Sequence, residues 1–127
     1  MTQRRALMTA AALGLLAVAA GAFGAHGLAA RVEPAALGWW KTASAYQLAH
    51  AVVLTGLAVG DAYRSPMVRR AFVFFIVGVL VFSGTLYAMT LGGPRWLGMV
   101  TPLGGLSLIA GWASLFVEGL RRTDAAA

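Results

Sequence analysis

Two histidines, three tyrosines and a sparse set of hydroxyl and amide side chains are the residues of this 127-residue chain that could do chemistry. Tyr46, Gln47 and His50 stand at i, i+1 and i+4, which places them on one side of a helix. Ser83, Tyr87 and Thr90 follow at i, i+4 and i+7, again a single stripe. His26 and Thr101 complete the set. Three readings compete for it. The plainest is an interhelical hydrogen-bond cluster that locks a bundle together. The second is a pocket for a small molecule or lipid headgroup, which needs only a few converging polar groups. The third is a bis-histidine haem or metal site on His26 and His50, since imidazole is a common ligand. No carboxylate or thiol supports that third reading, and none stands beside Ser83 to orient a histidine for hydrolysis. No metal, cofactor or catalytic residue is therefore assigned, and the expectation is that the chain is not an enzyme.

The elements that carry these residues are four apolar runs fenced by charge. Apolar residues make up 60% of the chain and charged residues 11%, whereas a soluble domain is nearer to about half and a quarter. The runs cover residues 6–30, 42–60, 71–93 and 97–119. A helix crosses the hydrocarbon core with about 20 apolar residues, so all four qualify. Their continuity, without alternation, argues against a strand barrel. The expectation is an all-α integral membrane bundle of four transmembrane helices, forming one domain over residues 1–127 in the lipid bilayer.

Boundary signals sharpen the picture. Pro34 suits a first helical turn, so a helix can begin before the second span, with Trp39 and Trp40 at the water interface. Gly92-Gly93-Pro94 breaks the chain after the third span. Thr101-Pro102 reads as an N-cap and first helical proline, which would shorten the fourth span to 102–119 and lay 95–100 along the interface.

The net charge of +6 comes from arginine and lysine between the runs, and no nucleic-acid motif accompanies it. With the N-terminus inside, Arg4, Arg5, Arg64, Arg69, Arg70, Arg121 and Arg122 lie in the cytoplasm, and only Arg31, Lys41 and Arg95 lie outside. That bias predicts both termini in the cytoplasm. The first thirty residues also resemble a signal peptide, but their uncharged run exceeds the usual length of about 7–15 residues. Counting from the start of the second run, His50 is about two turns deep, so the polar residues fall in the outer half of the membrane. The inner half is apolar.

Small residues mark the packing seams that membrane helices need. Ala10, Gly14, Ala17, Gly21 and Gly24 form one stripe in the first span, and Gly104, Ser107, Gly111 and Ser114 another in the fourth. Gly56 and Gly60 make a GxxxG match in the second. Such stripes serve packing within the chain or a homo-oligomer face, and spacing does not separate the two.

Several segments together resemble a known family. They are Gly21-Ala22-Phe23-Gly24-Ala25-His26-Gly27-Leu28, Trp40-Lys41-Thr42-Ala43 and Tyr46-Gln47-Leu48-Ala49-His50-Ala51, followed by Phe82-Ser83-Gly84-Thr85-Leu86-Tyr87, Leu97-Gly98, Thr101-Pro102-Leu103-Gly104-Gly105 and Gly111-Trp112. In this order they resemble the YgdD/YwdK family of small bacterial inner-membrane proteins, over about residues 8–118. The resemblance implies a four-span inner-membrane protein that retains its first span. It supplies no substrate, cofactor or catalytic residue. The first expectation for function is a structural or accessory membrane component, alone, as a homo-oligomer or within a larger complex. The alternative is a small transporter or a solute- or lipid-binding protein using the polar cluster. No inverted repeat between the first and second halves favours transport.

Overall fold

A computed structural model describes residues 1–126, and the side chains of residues 1–122. Four long helices, α1 Gln3–Phe23, α2 Pro34–Val59, α3 Pro66–Thr90 and α4 Leu97–Ala126, account for most of them. A five-residue π-helical turn, Gly24–Leu28, extends α1, so its apolar helix runs for 26 residues. At about 1.5 Å per residue that is about 39 Å, longer than the hydrocarbon core of about 30 Å. All four helices are long and apolar enough to cross a membrane.

The starts and stops have local causes. The Thr2 hydroxyl accepts from the Arg5 amide at 3.4 Å, and the Ser65 hydroxyl accepts from the Met67 amide at 3.2 Å, satisfying donors that the first helical turn leaves free. Pro34 and Pro66 open α2 and α3 where no amide N–H is needed. A 3-10 turn, Asp61–Arg64, joins α2 to α3. After α3 the backbone reverses at Gly92, whose φ of 94° favours glycine.

α1, α2 and α3 begin at Gln3, Pro34 and Pro66, ahead of the apolar runs that start at 6, 42 and 71, and one expected boundary changes. The fourth helix begins at Leu97, so Thr101-Pro102 is not an N-terminus and 95–100 does not lie separately along the interface. The amides of Leu97, Gly98 and Met99 bond to Pro94, Arg95 and Trp96, which starts the helix early. Pro102 then sits inside α4, near its start and on its exposed face. The Thr101 hydroxyl bonds back to the Leu97 carbonyl at 3.2 Å instead of capping.

Each helix packs chiefly on its neighbours in sequence, α1 on α2, α2 on α3 and α3 on α4. The shared core joins Ala6, Ala10 and Leu13 to Leu54 and Ala58, then to Phe72, Phe75 and Val79, with Leu108 from α4. Small residues set the closest approaches. A methyl group added to Gly104 would meet the backbone of Phe82, and one added to Gly111 would lie 2.6 Å from the Phe75 ring. The α4 stripe is therefore a seam. The α1 stripe is one only in part. Gly14 meets Ala51 at ordinary contact distance and Gly24 lies under the Trp40 indole, but Gly21 faces open space. Gly56 also faces open space, and Gly60 meets only its own turn, so the GxxxG of α2 joins no helices among the described residues. Gly78, which the spacing did not single out, packs directly against Leu108.

Candidate functional site

The expected single polar cluster is two clusters on either flank of α2. Gln47 and His50 differ by three residues, about 60° around the helix, and that angle sends them to different neighbours. Gln47 turns toward α1. Its amide nitrogen donates to the Leu13 carbonyl at 2.8 Å, and its oxygen accepts from the Tyr87 hydroxyl of α3 at 3.0 Å. Ser83, one turn below Tyr87, donates to the Ala43 carbonyl at 2.8 Å. Trp40 closes the end of this cluster, donating to the Ala20 carbonyl at 2.7 Å with its ring 4.5 Å from Tyr87 and 5.7 Å from Phe23.

His50 turns toward α3 and α4. Its Nδ1 meets the Tyr46 carbonyl at 2.7 Å, and its Nε2 meets the indole nitrogen of Trp112 at 3.2 Å. A carbonyl can only accept and an indole N–H can only donate, so both bonds together require the neutral imidazole protonated on Nδ1. The rings of Tyr46, Phe75 and Trp112 surround it, and Tyr46 also meets the Phe82 ring, tilted, at 4.5 Å. Tyr46 itself is half exposed on the outer face of the bundle.

The remaining expected members lie apart. Thr90 donates near the end of α3, with Ala36 and Leu86 carbonyls at 3.0 and 2.9 Å. Thr101 pairs with the Thr85 hydroxyl at 2.7 Å, a contact between α3 and α4. His26 is exposed on the π-helical turn and does not join His50, which lies near the middle of α2. A bis-histidine site is therefore not assembled within the chain. α2 starts at Pro34, ahead of its apolar run as the proline implied, and His50 is sixteen residues along this 26-residue helix.

Spacing missed Trp112 and Thr85, and it marked Ser107 only as a small seam residue, whereas its hydroxyl donates to the Phe74 carbonyl at 2.8 Å. Trp112 carried a usable signal: an indole N–H in the middle of an apolar run must find an acceptor. Most of these bonds end on backbone carbonyls, each of which keeps a second lone pair after its helical bond. Among the described residues no buried side-chain nitrogen or oxygen lacks a partner. No three of the described His, Asp or Glu residues come together as a ligand group.

Four apolar helices, with polar side chains turned inward onto neighbouring backbones, define a multi-span α-helical membrane protein. The chain matches the family described as "Protein of unknown function (DUF423)" over residues 20–105. It is 41% identical over 122 residues to the UPF0382 inner membrane protein YgdD of Escherichia coli K12, covering 95% of this chain and 93% of that one. A UPF0382 membrane protein of Staphylococcus haemolyticus is 38% identical over 104 residues, 82% of this chain and 85% of its own. One from Haemophilus influenzae is 35% identical over 102 residues, 80% and 82% of the two chains. No solved structure matches. The chain belongs to this family of membrane proteins, as the motif order implied.

Proposed function

We propose that the protein is a structural or accessory component of the bacterial inner membrane, not an enzyme, with both termini in the cytoplasm. One observation carries the reading: among the described residues the buried polar side chains are already engaged, and Gln47, Ser83 and Thr90 bond the backbone of a neighbouring helix. A catalytic set needs an acid, a base or a nucleophile free to meet substrate. Here His50 has both nitrogens occupied by the protein itself. As an accessory component the protein's partner is a larger membrane complex or a second copy, and purification with native lipids identifies which accompanies it. The orientation rests on the arginine bias. Reporter fusions test it: those after Ala127 and within 63–68 read cytoplasmic, and insertions within 31–38 read external. The opposite pattern, or a mature chain that begins near Phe23 or Ala30 by mass spectrometry, overturns it. The lipid-binding alternative is favoured by a separate observation, an apolar cleft between α1 and α3.

A further inference from the structure

The α1–α3 cleft has a volume of about 340 Å³, within the range of about 300–1,000 Å³ usual for ligand sites. It exists because α1 and α3 each pack along α2 without an extended seam between them. Leu13 and Leu16 form one wall, and Val79 and Leu80 the other. Leu16 and Leu80 are exposed at the rim, so the cleft opens sideways, where a bilayer would supply hydrocarbon. Gly84 leaves the α3 rim bare, with nothing within 4 Å of where a methyl would stand.

The floor decides what chemistry fits. Trp40, Gln47, Ser83 and Tyr87 line it, yet their polar atoms are bound to Ala20, Leu13, Ala43 and each other. Rings and methylene groups are what they present to the cleft. A polar solute would find almost no free partner, whereas a hydrocarbon chain would leave no polar group unpaired. Size then separates a chain from a helix. Along α3 the cleft runs from Val79 to Tyr87, eight residues or about 12 Å. A helix about 10 Å across would need about 900 Å³ over that length. A single polymethylene chain is the slimmer occupant. The length is also close to one leaflet's share, about 15 Å, of the hydrocarbon core. The cleft begins near the middle of α3 and ends one turn before Thr90. Lys41, which is exposed, directly follows Trp40, whose ring lies 4.5 Å from Tyr87 at that end, and its charge is opposite to that of a lipid phosphate.

We infer that this cleft holds one acyl chain of a phospholipid from the leaflet on the side of the α1–α2 and α3–α4 connections. The inference deepens the lipid-binding alternative and does not depend on which terminus faces the cytoplasm. It is tested on the full-length protein purified in mild detergent and exposed to mixed phosphatidylglycerol and phosphatidylethanolamine, with intact complexes weighed by mass spectrometry. Wild type and Gly56→Leu, a substitution into open space away from the cleft, each retain one phospholipid. Gly84→Leu and Ala20→Leu, which fill the cleft, reduce that occupancy by about tenfold. Equal retention in all four proteins, no retained lipid on wild type, or an isoprenoid in place of a phospholipid overturns the inference. A second measurement is independent of cleft-filling variants. Trp40, only 7% exposed, is kept as the sole tryptophan in nanodiscs of chain-brominated phosphatidylglycerol. Strong quenching of that buried indole supports entry of a chain, and its absence contradicts it. A stable bundle without retained lipid fails this inference alone and leaves the structural reading untouched.

Discussion

Gly104→Ala is a one-carbon change whose effect can be worked from the α3–α4 seam. The new methyl would lie 2.8 Å from the Cα and Cβ of Phe82 and against its amide nitrogen, and backbone cannot move aside as a side chain can. The helices must separate. Overpacking of this kind costs about 1–3 kcal/mol. Separation also stretches the two flanking hydrogen bonds, Thr85 to Thr101 and Ser107 to the Phe74 carbonyl. Interhelical bonds in membranes average about 0.6 kcal/mol each, so roughly 1 kcal/mol more is at stake. Against this, alanine in place of glycine favours the helix by about 1 kcal/mol. The net expectation is a loss of about 1–3 kcal/mol. Gly56→Ala is the control, because it gains the same propensity and meets nothing within 4 Å. Unfolding of both in mixed micelles by increasing dodecyl sulfate, followed by far-UV circular dichroism, gives the comparison. Gly104→Ala at or above the stability of wild type would refute the reasoning about the seam.

Two further outcomes follow from the same geometry. Trp112→Phe keeps a ring beside Phe75 and His50 but removes the indole donor. It should lower stability by about 0.6–1.7 kcal/mol, and His50→Leu should cost less in that background than in wild type, measured by the same unfolding titration. In sealed liposomes the protein should show no proton or monovalent-ion leak above protein-free controls, read with a trapped pH dye. Conduction needs polar groups across the full hydrocarbon depth, and toward the α2–α3 turn the helices present Leu57, Phe72 and Phe74. A leak that His50→Ala abolishes would move transport to first place.

The helices were legible because transfer of charge into hydrocarbon is costly, so charged residues bracket every span. Gln47, His50, Ser83 and Thr90 were legible as buried groups for the same reason, and each is buried. Rotation was not legible. The stripe of Tyr46, Gln47 and His50 is one side of α2, but whether a neighbour sits at one edge or both depends on how three helices meet. His26 turned outward on a π-helical turn, whose extra residue changes the facing of everything after Phe23. The glycine rhythm of α4 falls on its seam with α3, whereas that of α2 meets no helix among the described residues, since spacing shows that a close approach can be made and not which helix makes it.

The claim that these polar side chains serve to hold helices together is tested most directly by a double-mutant cycle on Gln47 and Tyr87. Gln47 is 6% exposed and bridges α1 and α3 through one amide. Stabilities of Gln47→Leu, Tyr87→Phe and the double variant isolate the α2–α3 bond from changes in packing. The account predicts a coupling of about 0.6–1.7 kcal/mol, with Gln47→Leu the more damaging single change because it also frees the Leu13 carbonyl. Zero coupling, with both single variants as stable as wild type, would contradict it and return the pair to a binding role.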